Sequence, residues 1–141
     1  MGKVIHFSSY SPIKQEGILK PIIYCYTPPT IEDKALSLNQ ELSQELNNIQ
    51  QNKRTIQLAH IFEKIIKNKP DDTVIKDFDV LFNPAYRIDI MKIMIAVCKM
   101  KPFSIMWPGI YENGYLIYAE YGYPDFKRFH VKEYDITCII A

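Results

Sequence analysis

The chain has 141 residues, the length of one domain, and its 48% apolar and 23% charged residues are ordinary globular usage, which excludes disorder over the whole length. A chain of this size buries roughly 68–70% of the surface that its unfolded form exposes, so it needs no metal or disulfide staple. A formal net charge of +1 provides no whole-molecule attraction to nucleic acid or to an anionic membrane, and leaves only a local patch for either.

The three cysteines, Cys25, Cys98 and Cys138, stand far apart without a CxxC pair. That is the spacing of free thiols in a reducing compartment, not of zinc ligands or a disulfide framework. Met1 to Phe7 is broken by Ser8 and Ser9 before an apolar run develops, and so reads as neither signal peptide nor anchor. The run over residues 93–98 is too short to cross a bilayer. The cytoplasm is the expected compartment.

Residues 3–9 predict a first strand, rich in β-branched and aromatic side chains. Ser11-Pro12 to Gly17 reads as loop, and residues 19–27 return to strand character until Pro28-Pro29, which cannot donate to a ladder. Leu38, Leu42, Leu46 and Ile49 then recur at helical spacing, and Ser37 with Gln40 has the form of a capping box at the helix start. Residues 47–53 form a polar connection. A second helical stripe, Leu58, Ile61, Phe62, Ile65 and Ile66, ends at Asn68-Lys69-Pro70.

Thr73-Val74-Ile75 predicts a short buried strand, and Leu81-Phe82-Asn83-Pro84 an apolar stop. Residues 88–100 predict a third helix, apolar nearly all round, and residues 103–107 a strand closed by Pro108-Gly109. Asn113-Gly114, between Ile110-Tyr111 and Tyr115-Leu116-Ile117-Tyr118, is the strongest hairpin signal in the chain, because both turn residues tolerate positive φ. Residues 136–140 predict a closing strand. Strands alternating with helices indicate a single α/β domain over residues 1–141, a mainly parallel sheet flanked by helices on both faces, with a C-terminal β-hairpin.

A phosphate-binding loop needs glycines whose N–H groups close around the anion, a lysine, and a Ser/Thr hydroxyl for magnesium. The best-placed segment, Thr27 to Lys34, has no glycine, two prolines and the acids Glu32 and Asp33. A nucleotide site there would rest on Thr30 and Lys34, with Asp77 and Asp79 after the next strand as magnesium-bearing acids. The plain reading is a strand-to-helix connection and solvated loop acids. Ser8 to Gly17, with one glycine at its end, fares little better. His6, His60 and His130 stand alone, and no serine has a GxSxG context, so no catalytic residue is assigned.

The C-terminal third is aromatic. Trp107, Tyr111, Tyr115, Tyr121 and Tyr123 would suit a protein interface. Interleaved with Lys127, Arg128 and Lys132, they would equally suit a single nucleic-acid strand, and the plain account is a covered sheet edge.

The strings Ser104-Ile105-Met106-Trp107-Pro108-Gly109, Gly114-Tyr115-Leu116-Ile117-Tyr118-Ala119-Glu120 and Gly122-Tyr123-Pro124-Asp125-Phe126-Lys127-Arg128-Phe129 resemble the C-terminal half of the BrxF family, the small P-loop component of type 3 BREX phage-exclusion systems. Leu38-Asn39-Gln40-Glu41-Leu42-Ser43, the helix around residues 61–66 and Leu81-Phe82-Asn83-Pro84 extend the likeness over residues 36–130. It implies a three-layer P-loop-like fold and other defence-system subunits, among them a large ATPase, as partners.

The chain departs from that family where its chemistry lies. The Gly-Lys-Thr loop is absent and Tyr123 replaces the histidine before Pro124. Asp79 matches the second acid while Lys76 falls near the metal-bearing one; a shift by one restores Asp77 but breaks the Leu81-Phe82 match. The expectation is a divergent, non-catalytic accessory subunit of an anti-phage system whose P-loop signature is missing, with no cofactor and acting by protein contact. ATP with magnesium, single-stranded nucleic acid and a phage-encoded mimic are the alternatives.

Overall fold

The computed structural model describes residues 2–9 and 20–141. Along them run β1 (Lys3–His6), β2 (Ile22–Tyr24), α1 (Pro29–Lys34), β3 (Leu36–Ser37), α2 (Asn39–Asn47), α3 (Arg54–Lys67) and β4 (Val74–Lys76). Then follow α4 (Ile90–Met100), β5 (Ser104–Met106), β6 (Ile110–Glu112), β7 (Tyr115–Tyr118), β8 (Lys127–His130) and β9 (Thr137–Ile140). Six strands make one sheet in the order β1-β9-β2-β5-β4-β3, with every neighbouring pair parallel. The other three form a small antiparallel sheet, β6-β7-β8. This is the α/β class that the alternation of strands and helices predicts.

Side chains alternate across a strand, so register decides which residues share a face. Ile23 lies opposite both Ile105 and Cys138, and Ile75 opposite Ile105. These four line one face and share a core with the buried residues of the helices: Leu42 and Leu46 of α2, Leu58, Ile61, Phe62, Ile65 and Ile66 of α3, and Met91, Met94 and Cys98 of α4. At roughly 1.5–3 kcal/mol for each fully buried large apolar side chain, this layer is the main source of stability. β9, the last strand in the chain, lies inside the sheet between β1 and β2, which is why Thr137, Cys138 and Ile139 are all buried.

Several expectations change in detail. Ser37 does not cap α2: it pairs with Lys76 as part of β3, and the N-cap position falls on Leu38 without a side-chain bond. Strand pairing takes the backbone that the capping box would need. Asn39 serves a tertiary contact instead, its Oδ1 accepting from the Val80 N–H at 3.3 Å. The segment read as a plain connection holds a six-residue helix, α1, and the two-residue β3. α4 starts at Ile90 because Asp89 caps it, accepting from Met91 N at 3.1 Å and Lys92 N at 3.3 Å. The hairpin turn is as expected, with Asn113 at φ 50° and Gly114 at φ 86°, but β8 joins β7 and makes the hairpin a three-stranded sheet. The loop read over Ser11-Pro12 to Gly17 lies outside the described residues, as do residues 10–17 of the second phosphate-loop candidate, Ser8 to Gly17. Among the described residues no helix is long and apolar enough to cross a membrane.

Candidate functional site

In open α/β sheets, ligands bind beyond the carboxyl ends of the strands, at the point where successive connections leave in opposite directions. Here that point lies between β2, whose chain continues toward β3 at one edge, and β5, whose chain continues toward β9 on the other side. The junction after β2 is the place for a phosphate cradle. Cys25 and Tyr26 both give their N–H groups to the Ile139 carbonyl, at 2.9 and 3.1 Å. Pro28 and Pro29 have none, so between residues 25 and 30 only Thr27 and Thr30 could offer one. α1 buries no residue, and Thr30 and Lys34 are exposed on it. The residues of this junction do not fit the phosphates of ATP.

The two acids follow β4, which β5 separates from β2 in the sheet. Asp77 takes a left-handed conformation, φ 50°, just past β4. Asp79 opens the 3-10 turn Asp79–Phe82 and accepts from the Tyr118 hydroxyl at 3.0 Å. Neither is joined to Thr30 or Lys34 by a hydrogen bond or ion pair. Among the described residues no group of three His, Cys, Asp or Glu side chains is placed to hold a metal.

Beyond β4 and β5 the small sheet packs on through an aromatic seam. Phe82 stacks on Tyr118 with centroids 4.0 Å apart and meets Trp107 edge-on at 5.8 Å. Trp107 in turn meets Phe129 edge-on at 5.9 Å, and Phe129 meets Tyr134 at 5.9 Å. The Trp107 indole N–H donates to the Ile117 carbonyl at 3.1 Å, and its backbone N–H donates to Tyr24 O at 3.0 Å. Trp107 was expected on the docking surface; only 7% exposed, it is an inward anchor of the seam. Its size and ring faces are consumed in joining the two sheets, so it is not available to a partner.

Register divides the other aromatic residues. Tyr111, Leu116, Tyr118 and Phe129 share the inner face of the small sheet, where Tyr111 is half-buried against the core. The outer face carries Ile110, Tyr115, Ile117, Arg128 and His130. There the Tyr115 ring stacks on His130 at 4.7 Å, with the Arg128 guanidinium carbon 4.4 Å from its centroid. Arg128 is exposed but engaged on this ring. Lys127 sits opposite Tyr118, on the inner-face register, and Lys132 lies beyond β8 in the turn Val131–Glu133. The three cations therefore do not line one strip.

Tyr121 and Tyr123 stand out. They are 89% and 61% exposed on the segment between β7 and β8. Two successive turns hold that segment, with Tyr123 N donating to Glu120 O at 3.2 Å and Phe126 N to Tyr123 O at 3.1 Å. Tyr121 packs edge-on against Phe126 at 5.5 Å. Ala119 enters it at φ 64°, unusual for a residue with a Cβ, and Gly122 turns it at φ 95°. Sequence reasoning found Tyr121 and Tyr123 but missed the acids around them, Glu120 and Asp125; the signal was there, a segment with two carboxylates and no cation between residues 119 and 126. It also missed Asp89, which caps α4 while its Oδ2 accepts from the Tyr134 hydroxyl at 2.7 Å.

No family model, curated protein or solved structure matches the chain.

Proposed function

We propose that this chain is a non-catalytic accessory subunit of a BREX-like bacterial phage-exclusion system, working in the cytoplasm by protein–protein contact. The defence context rests on the sequence resemblance through Trp107-Pro108-Gly109 and Tyr118-Ala119-Glu120. The mode of action rests on one observation: Tyr121 and Tyr123 are held out in water by a segment built of tight turns. Large aromatic side chains normally bury their area, and an exposed pair on a segment bound by turns is the form of an interface anchor, which gains affinity where the backbone is already ordered. The spent N–H groups of the β2–α1 junction support a scaffold that works without ATP.

The test is co-expression of the tagged chain with the large ATPase and the other subunits of such a system. The chain is expected to retain one of them through affinity and size-exclusion chromatography. Tyr121→Ala together with Tyr123→Ala is expected to weaken that association by about 30-fold or more, with an unchanged circular dichroism spectrum. Full retention by the folded double variant overturns the reading.

A further inference from the structure

We infer that the partner segment which seats on residues 119–126 presents an arginine side chain. This rests on the docking reading above and names the chemistry of its partner. The segment carries Glu120 and Asp125 and no lysine, arginine or histidine. Among the described residues, no cation pairs with Glu120, Asp125 or Asp79. Of the two cations that follow directly, Lys127 lies opposite Tyr118 and forms no ion pair among the described residues, and Arg128 is turned onto the Tyr115 ring on the outer face of the small sheet. Asp79 and Asp125 both act on the Tyr118 hydroxyl and help keep it protonated, so the negative charge reaches from this segment to the end of β7.

Two exposed phenol rings on a segment whose carboxylates form no ion pair among the described residues match one side chain best. A guanidinium is planar, stacks on an aromatic face and donates two parallel N–H bonds to a carboxylate. An ammonium satisfies the charge but not the stack. Phosphate groups, whether of a nucleic-acid strand or a phosphorylated peptide, would meet Glu120 and Asp125 as like charges.

The experiment titrates N-acetyl-arginine-N-methylamide, and its uncharged isostere N-acetyl-citrulline-N-methylamide, into the intact chain while following the tyrosine ring resonances by NMR. Saturable shifts at Tyr121 and Tyr123 with the arginine probe, weaker by about fivefold or more with citrulline, are expected. Glu120→Gln with Asp125→Asn should weaken the arginine response to a similar extent, and about 0.5 M salt should diminish it. Equal responses to both probes, or none at Tyr121 and Tyr123, overturn the inference. If the arginine probe is silent while the Tyr121→Ala, Tyr123→Ala variant still loses its partner, arginine recognition falls and docking stands. If that variant keeps its partner, docking falls and the inference falls with it.

Discussion

Tyr118 carries two duties in one side chain. Its ring stacks on Phe82 in the seam, and its hydroxyl donates to Asp79. Ionising it would place a phenolate out of water beside a carboxylate. Burial first, then the hydrogen bond to Asp79 and the charges of Asp79 and Asp125, push its pKa up to about 12 from the ordinary value near 10. Because the folded value is raised, the stability linked to this group is fully present below about pH 10 and is lost as pH rises toward 12. Tyr118→Phe keeps the stack and removes the proton, so the variant should lose about 1 kcal/mol at pH 7 through the missing hydrogen bond. It should also fall less steeply than the parent between about pH 10 and 12. Denaturant titrations of both proteins across that interval check it, and parallel pH profiles would contradict it. Tyr134, shifted upward by burial and then by its bond to Asp89, acts in the same direction.

At the scale of elements, the sequence was readable wherever a local period coincided with a buried face. The stripes Leu38-Leu42-Leu46 and Leu58 to Ile66 became α2 and α3 because one side of each meets the sheet. Asn113-Gly114 became the turn because its backbone conformation is intrinsic to those residues. What was not readable depends on partners distant in the chain. Ser37 is a capping residue by local pattern and a strand residue by pairing with Lys76, and β8 is recognisable only opposite β7. The site divides in the same way: two exposed tyrosines were legible by type, whereas the burial of Trp107 was set by Phe82, Ile117 and Phe129, which no local window contains. Asp89 shows how such long-range bonds support an element. Asp89→Ala removes the cap of α4, worth about 1 kcal/mol, and the acceptor of Tyr134, worth about as much again. Asp89→Asn, which can still cap, should cost under about 1 kcal/mol. Urea midpoints of the pair measure the difference, and equal losses would sever the cap from the helix's stability.

At the scale of the whole molecule, the question is whether the small sheet is a separate unit or part of one cooperative fold. Leu116, Tyr118 and Phe129 of the small sheet belong to the same core as Ile75, Ile105 and the helices, so no water-filled boundary divides them. The backbone comes close to β7 at Gly109, the residue before β6. A Cβ there would run into the Ile117 carbonyl oxygen, the acceptor of the Trp107 indole. Gly109 thus lets the strand after the seam lie flat against the strand that closes it, which gives Trp107-Pro108-Gly109 a structural reason for its composition. Gly109→Ala must push Ile117 away and open the Trp107 bond, an overpacking strain of about 1–3 kcal/mol. Trp107 is the chain's one tryptophan, so its fluorescence reports the seam, while circular dichroism at 222 nm reports α2 to α4. In a two-state fold the two signals give one midpoint in urea, and Gly109→Ala moves both down together. A fluorescence transition that precedes the loss of helix in the variant, with the parent's transitions also split, would mean that the seam opens by itself. The segment bearing Tyr121 and Tyr123 would then be anchored to a detachable sheet, and the rigidity on which its use as an interface depends would be lost.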